Sequence, residues 1–459
     1  MAEMTDFEKQ QQEAMEREEM RTAAIILARG GSKRIPGKNT INFCGKPLLL
    51  WTIEQCKKVK EIASIWVSSD SKEILKLAEK NGCYIITRPH SLSEDDSSSA
   101  SDWEHAIKVI EQHEGKIDTF IAPQVTSPVR EPEDMSEALH IFEKYDHQFM
   151  LSYSSGENGS FYIFDNTFQE DNFPKDPKTG KFILQNEKLA VWLIESWKGY
   201  EIDWPIDLKI CEVLMRQYLL NDRYYESRAS GLKYNYYREG YYQDKTDPDG
   251  VPRNAQGERE RKLEDCKEEL SFINNLSPGT ILDVGCGYGH MLSGVEDTWY
   301  KCGLDLNKTA ITHANRFCNS FNGTLQEAQY ESDFFDVITL YHVLEHLENP
   351  IEDIIEIRRI LKPNGKLIIG GPNFECGVAQ RFGDNYRLLQ DPGHVSLFGP
   401  VGLSRLLFDL DFRVDRIKYP FFDTRHFTEE NLLRLFDTTK ISPPFYGNLA
   451  TVYSHKEEE

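Results

Sequence analysis

Two glycine-rich segments, far apart in the chain, hold the residues best able to seat a nucleotide. The first is Leu27-Ala28-Arg29-Gly30-Gly31-Ser32-Lys33-Arg34-Ile35-Pro36-Gly37-Lys38-Asn39, directly after the apolar run Ala23 to Leu27. The second is Ile281-Leu282-Asp283-Val284-Gly285-Cys286-Gly287-Tyr288-Gly289, again at the end of a short apolar run. Each reads as strand, glycine-rich turn and helix, a geometry that turns backbone N–H groups and a helix N-terminus toward a ligand. Charge separates the two chemistries. Arg29, Lys33, Arg34 and Lys38 give the first loop fixed cations for a polyphosphate. The second loop holds no cation and suits a nucleoside without phosphates.

The first loop departs from the G-x-x-x-x-G-K-[ST] spacing of ATPase-type phosphate loops. Arg29 through Asn39 instead resembles the opening of the acylneuraminate cytidylyltransferases, which make CMP-nonulosonates. The resemblance continues in order. Phe43-Cys44-Gly45-Lys46-Pro47-Leu48 is similar to F-x-G-K-P-L, with Gly45 and Pro47 more naturally shaping a turn. Val67-Ser68-Ser69-Asp70 is similar to V-S-T-D, and Arg88-Pro89 with Leu92 and Ser97–Ser99 to a loop over the nucleotide. Gln124-Val125-Thr126-Ser127-Pro128-Val129-Arg130 and Glu157-Asn158-Gly159-Ser160-Phe161-Tyr162 complete it, over roughly residues 22–215.

This resemblance implies that the anomeric hydroxyl of a nonulosonic acid attacks the α-phosphate of CTP and pyrophosphate leaves. Catalysis would rest on positioning and charge stabilisation. It implies nucleotide contacts from Ala28, Arg29, Gly30, Ser32, Lys33, Lys38 and Asn39, with Arg88, Ser99 and Gln124 on the cytidine and sugar side. Lys38, with Arg29, is the expected partner of transition-state charge. The family's D-x-D-T-x-x-D matches Glu201-Ile202-Asp203-Trp204-Pro205-Ile206-Asp207, so Glu201 and Asp203 are the expected Mg²⁺ pair, and Asp207 reads better as a helix cap. Between Ser152 and Glu157 the family's long insertion, which carries its dimer arm, is nearly absent. The sugar half of the site and the usual dimer are therefore open questions at the level of sequence.

The second loop resembles the D-x-G-x-G-x-G loop of class I S-adenosylmethionine-dependent methyltransferases. Asp305 falls twenty-two residues after Asp283, at the end of the next apolar run, where an acid can accept from ribose hydroxyls. Dinucleotide folds share that logic, so later segments decide. Phe335-Asp336-Val337-Ile338, Tyr341-His342-Val343-Leu344-Glu345-His346-Leu347 with Pro350, and Leu361-Lys362-Pro363-Asn364-Gly365-Lys366 with Gly371-Pro372-Asn373 are similar to that family's fourth and fifth strands and their flanks. The resemblance covers roughly residues 262–420. It implies cofactor contacts from Asp283, Gly285, Gly287, Gly289, Asp305 and Tyr341. A hydroxyl acceptor also needs a base, and His346, His342 and His394 are candidates, His346 first. The plainer reading of each is structural. Gly371-Pro372-Asn373 lacks the (D/N)-P-P-(Y/F) pattern of nucleic-acid amino-methyltransferases.

Elements must position these residues. Candidate strands Ala23–Leu27, Ile65–Ser68, Tyr84–Ile86, Thr119–Ala122 and Phe149–Ser152 alternate with helices Leu48–Lys58, Ser71–Asn81, Ser101–Glu111 and Pro132–Tyr145. A second alternation follows: Ile281–Val284, Lys301–Leu304, Phe335–Leu340, helix Ile351–Leu361, then Lys366–Ile369. The expected fold class is α/β, two successive doubly wound (Rossmann-like) αβα sandwich domains. The expected divisions are a polar tail over 1–20, a nucleotidyltransferase domain over 21–220, a linker or lead-in over 221–261 and a methyltransferase domain over 262–459. The lead-in Tyr224–Tyr242 and the tail beyond Phe398 are expected to form the acceptor pocket.

The chain has 459 residues, 39% hydrophobic and 12% aromatic, enough for two packed cores. A net charge of −22 argues against a nucleic-acid surface. Nine cysteines without a C-x-x-C pair argue against a disulfide framework or structural zinc. No signal-peptide core or membrane-length apolar run is present, so a cytoplasmic location is expected. The expected partners are CTP, a nonulosonic acid and a methyl acceptor, with no nucleic acid and no membrane; self-association into a homo-oligomer is left open. The expected cofactors are Mg²⁺ with CTP, and S-adenosylmethionine. The leading reading is a bifunctional sugar-nucleotide enzyme. The alternative is a methyltransferase carrying a non-catalytic nucleotide-binding or scaffolding domain.

Overall fold

The computed structural model describes residues 21–89, 92, 99–154, 157–168, 188–231, 236–239, 257–422 and 424–458. The expected tail over 1–20, Ser97 and Ser98, and the 240–256 part of the expected lead-in lie outside the described residues. The chain divides into two compact units, 1–219 and 220–459. Among the described residues no helix is long and apolar enough to cross a membrane.

The first unit is built on a seven-stranded sheet. Its strands are β1 (Thr22–Leu27), β2 (Ile62–Ser69), β3 (Tyr84–Thr87), β4 (Thr119–Pro123), β5 (Phe149–Ser154), β6 (Glu157–Asp165) and β7 (Leu189–Leu193), in the order β3-β2-β1-β4-β6-β5-β7. β1 pairs in parallel with β2 and β4, and β2 with β3, whereas β6 runs antiparallel to both β4 and β5. Ala23, Ala24, Ile25 and Ile26 of β1 are fully buried. A central strand covered on both faces is apolar throughout rather than alternating. The covering helices are α1 (Leu48–Lys58), α2 (Lys72–Lys80), α3 (Ser99–Glu114), α4 (Pro132–Lys144) and α5 (Pro205–Leu214). Trp103 of α3 packs with Phe120, Phe149 and Phe164 of the sheet in one core.

The second unit repeats the principle. β8 (Thr280–Val284), β9 (Tyr300–Asp305), β10 (Asn319–Asn322), β11 (Phe335–Tyr341), β12 (Leu361–Pro372), β13 (Phe412–Lys418) and β14 (Leu449–Lys456) lie in the order β10-β9-β8-β11-β12-β14-β13. The first five are parallel and β14 is antiparallel to both its neighbours. Helices α6 (Arg259–Asp265), α7 (Lys267–Asn274), α8 (Lys308–Ala314), α9 (Pro350–Ile360) and α10 (Pro400–Asp409) belong to it. Tyr225–Ser227 pairs with Ser396–Phe398, so the chain enters this unit well before β8. Both sheets are mixed but mostly parallel, the Rossmann-like arrangement expected.

One local expectation fails in both units: neither glycine loop opens directly into an α-helix. Only the 3₁₀ turns Lys38–Thr40 and Leu292–Gly294 follow them. Pro36 and the left-handed Gly37 interrupt the first loop. Gly285, Gly287 and Gly289, all at positive φ, prevent a right-handed helix from starting in the second.

Candidate functional site

In the first unit, the loop after β1 meets the segments that follow β2, β4 and β7. Gly30 N–H donates to Asp70 Oδ1 at 2.7 Å, at the end of β2. A Cβ on Gly30 would lie 2.8 Å from Ser71 Cβ, so this approach requires glycine. Asn39, buried, donates from Nδ2 to Arg29 O at 2.8 Å and holds the loop closed on itself. Ala28 is buried, with its N–H on Ser68 O. Arg29, Lys33 and Arg34 are exposed, and Ser32 and Lys38 half-buried.

The expected metal residues come to the same place. Lys38 Nζ donates to Ile202 O at 2.7 Å and lies 3.4 Å from Asp203 Oδ1. Arg34 lies 3.3 Å from Asp203 Oδ2, and its guanidinium stands 4.7 Å from the Trp204 ring centre. The cationic loop is thus clasped by 201–204. Glu201 Oε1 accepts from Thr126 Oγ1 at 2.8 Å, and Ile202 N–H donates to Thr126 O at 2.7 Å, fixing the clasp to the segment after β4. Asp207 accepts the N–H groups of Asp203 and Trp204 from the third position of α5, so it caps the helix from within its first turn while Trp204, not Asp207, is the N-cap residue. Arg34, Asp70, Thr126 and Trp204 were not among the expected contacts. Arg34 carried a signal as a fourth cation in the loop, and Asp70, Thr126 and Trp204 lay inside family-matched segments without an assigned role.

Arg88 lies deeper than expected. It is 5% exposed, and its guanidinium binds Asp102 Oδ2 at 2.8 Å and Ser68 O at 2.9 Å, tying α3 to β2. The guanidinium is thus held by a buried ion pair at the end of β2. Ser99 is exposed at the first turn of α3. Gln124 Nε2 donates to Tyr162 OH at 3.2 Å, while its Oε1 is buried without a hydrogen-bond partner. Burial and then the Glu201 charge push the Tyr162 hydroxyl up to about 12, so Gln124, Tyr162 and Glu201 form one cluster beside the clasp.

In the second unit, a cavity of about 980 Å³ lies at the C-terminal ends of β8, β9 and β11. Asp283, Gly285, Gly287, Asp305 and Tyr341 line it; Gly289 does not, and instead packs against Ala314. Asp305 Oδ2 accepts the Gly287 N–H at 2.9 Å and Oδ1 the Asn307 N–H at 2.8 Å, joining the glycine loop to the N-cap of α8. Asp283 is 4% exposed, and burial pushes its carboxyl up to about 6 although Thr339 Oγ1 donates to it at 2.6 Å. Lys262 stands 4.2 Å over the Tyr341 ring, whose hydroxyl donates to Asp265 O. Tyr237 from the lead-in, and Tyr419, Phe421, Arg425 and Phe445 from the tail, complete the wall.

All three candidate histidines face this cavity. His346 Nδ1 donates to Gly393 O at 2.8 Å, with Tyr237 OH at 2.9 Å. His394 Nδ1 donates to Leu388 O at 2.6 Å. Burial lowers the His346 imidazole to about 4, so the ring is neutral at pH 7. His342 adopts φ +62°, a strained conformation for a residue with a Cβ. Glu345, absent from the expected site, is 4% exposed beside all three.

Two family models match: Cytidylyltransferase over residues 23–240 and Methyltransferase domain over 255–417. The pseudaminic acid cytidylyltransferase of Campylobacter jejuni (strain 81-176) is 32% identical over 158 residues, 32% of this chain and 68% of that protein. The chain belongs to the cytidylyltransferase family. N-acylneuraminate cytidylyltransferase A of Danio rerio is 36% identical over 130 residues, 28% of this chain but only 29% of that protein. The solved structure of a SAM dependent methyltransferase from Archaeoglobus fulgidus aligns over 44% of this chain and 96% of its own, at 20% identity and a TM-score of 0.33. A cytidylyltransferase domain is thus followed by a methyltransferase domain in one polypeptide.

Proposed function

We propose that the first unit activates a nonulosonic acid with CTP and that the second methylates a small molecule of the same glycan pathway from S-adenosylmethionine. The clasp of Lys38 and Arg34 on Asp203 carries the first half. It gathers cations and carboxylates where a triphosphate would sit at the strand C-termini. The anomeric hydroxyl attacks the α-phosphorus, the bond to the β-phosphate oxygen breaks, and pyrophosphate leaves. Lys38 holds the charge that builds on the phosphoryl oxygens, and Arg29 and Lys33 hold the outer phosphates. The buried, unpartnered Gln124 Oε1 suits a ligand N–H or O–H.

Glu201 and Asp203 would supply oxygen ligands of the kind Mg²⁺ prefers, once Asp203 exchanges its pairing with Lys38 and Arg34. Bound there, the ion would offset the negative charge of the triphosphate. In the second unit, Asp305 would exchange its loop N–H partners for the ribose hydroxyls, and Asp283 would face the methionine ammonium. The cavity volume is at the upper end of the roughly 300–1,000 Å³ of small-molecule sites, which suits a cofactor with an acceptor beside it.

The test is equilibrium binding of CTP and of S-adenosylmethionine to the full chain. Lys38→Ala should abolish nucleotidyl transfer and leave S-adenosylmethionine affinity unchanged. Asp305→Ala should weaken S-adenosylmethionine by ~1–3 kcal/mol and leave CTP unchanged. Equal loss of both ligands in either variant contradicts independent sites. A second reading, in which the first unit binds nucleotide without turnover, draws on one observation. Ser154 and Glu157 pair directly across β5 and β6, a tight hairpin where the family's dimer arm would emerge.

A further inference from the structure

We propose that Glu345, His346 and His394 form a divalent-metal site in the wall of the second unit's cavity, suited to a first-row transition ion such as Zn²⁺, Mn²⁺ or Co²⁺. Each residue offers one ligand atom, and the three atoms lie within 4.8 Å of one another. Among the described residues no other group of three or more His, Cys, Asp or Glu meets that condition. Metal–ligand bonds of about 2.1 Å place neighbouring donors roughly 3–3.5 Å apart, so small side-chain shifts would close the site.

Three features favour an ion over incidental packing. The first is the tautomer. His394 Nδ1 lies 2.6 Å from the Leu388 carbonyl and His346 Nδ1 2.8 Å from the Gly393 carbonyl, with Tyr237 OH at 2.9 Å. With the proton on Nδ1, each ring presents its basic lone pair at Nε2, the outer-shell arrangement that orients histidine ligands. The second is the carboxylate. Glu345 is buried, and its Oε1 makes no well-formed hydrogen bond, only a 3.4 Å pairing with His342 Nδ1. A buried carboxylate oxygen short of well-formed hydrogen bonds is costly, and a cation would satisfy it. The third is fixation. Glu345 and His346 share the 3₁₀ turn after β11, and Val395 N–H donates to Glu345 O at 2.8 Å, locking the His394 segment to that turn. A Cβ on Gly371 would lie 3.2 Å from Glu345 Oε2, so glycine there preserves the space. Asp391 Oδ2, 3.8 Å from His394 Nε2, is the other nearby carboxylate.

Two imidazoles and one carboxylate suit zinc or a neighbouring transition ion better than Mg²⁺, and three protein ligands leave positions open. The consequence for chemistry rests on the methyltransferase reading. An ion held there would lower the pKa of an acceptor hydroxyl, whose proton would pass to water, and the freed oxygen would take the methyl carbon as the carbon–sulfur bond breaks, releasing a neutral thioether. His346 would then act as a ligand and not as the base.

The test is Co²⁺ titration of the chelator-treated full chain, read by visible ligand-field absorption, with S-adenosylmethionine binding measured on the same samples. Wild type should show bands saturating at one Co²⁺ per chain. The Glu201→Gln/Asp203→Asn double variant, which removes the carboxylates of the first unit, should match it. His394→Ala and Glu345→Gln should each lose at least tenfold in Co²⁺ affinity while still binding S-adenosylmethionine. Absence of bands in wild type overturns the site outright, as do bands unchanged in both variants. Intact bands with no S-adenosylmethionine binding would instead sink the cofactor reading and leave the ion site standing.

Discussion

At the scale of residues, the two sites contrast in how they hold charge. Lys38 and Asp203 meet at a half-exposed surface, ready to exchange partners with a polyphosphate. Asp283 is sealed in, and its raised pKa has a definite sign. Its folded value of about 6 exceeds the ordinary ~3.9 of an aspartate. Below about pH 4 folded and unfolded chains both hold the proton. Between about pH 4 and 6 the unfolded chain releases it first, so stability falls as pH rises, by up to about 3 kcal/mol. Thermal midpoints of the second unit should therefore drop across that window in wild type more steeply than in Asp283→Asn. Parallel curves would remove Asp283 from the account. The glycines, Lys38 and Asp305 were legible from side-chain type and spacing. Glu345 and Asp70 lay inside matched segments, but their roles were not legible, because spacing alone does not show that an acid serves backbone or imidazoles.

At the scale of elements, the central strands were legible because burial on both faces makes them apolar runs. Helix Leu48–Lys58 appears with the bounds expected of it. Of the strands in the two seven-stranded sheets, Glu157–Asp165, Leu189–Leu193, Asn319–Asn322, Phe412–Lys418 and Leu449–Lys456 were missed. Asn319–Asn322 and Phe412–Lys418 are partly exposed and polar, and Glu157–Asp165 and Leu449–Lys456 run antiparallel to their neighbours. The missing helices after the glycine loops reflect backbone conformation that composition does not reveal. Gly285 combines φ +68° with a Cβ position 2.4 Å from Val343 Cγ2. Gly285→Ala should cost about 1–3 kcal/mol of stability and open the loop; an unchanged denaturation midpoint would contradict that. Arg88→Ala strands the buried Asp102 and should destabilise the first unit by about 3–5 kcal/mol. Selective loss of CTP affinity at unchanged stability would instead make Arg88 a ligand contact.

At the scale of the whole molecule, two mostly parallel sheets each carry a site at their strand C-termini, one cationic and one enclosed. Joining the two domains in one chain would keep both proposed activities at one concentration, without requiring that they share a substrate. The first unit decides whether the chain is a synthetase or a methyltransferase with a nucleotide-binding partner domain. The direct measurement is pyrophosphate release from the full chain with Mg²⁺, CTP and a panel of nonulosonic acids. Release with at least one of these sugars, abolished in Lys38→Ala, is the predicted result. CTP binding without release for any sugar would contradict the account and leave methyl transfer as the chemistry of this protein.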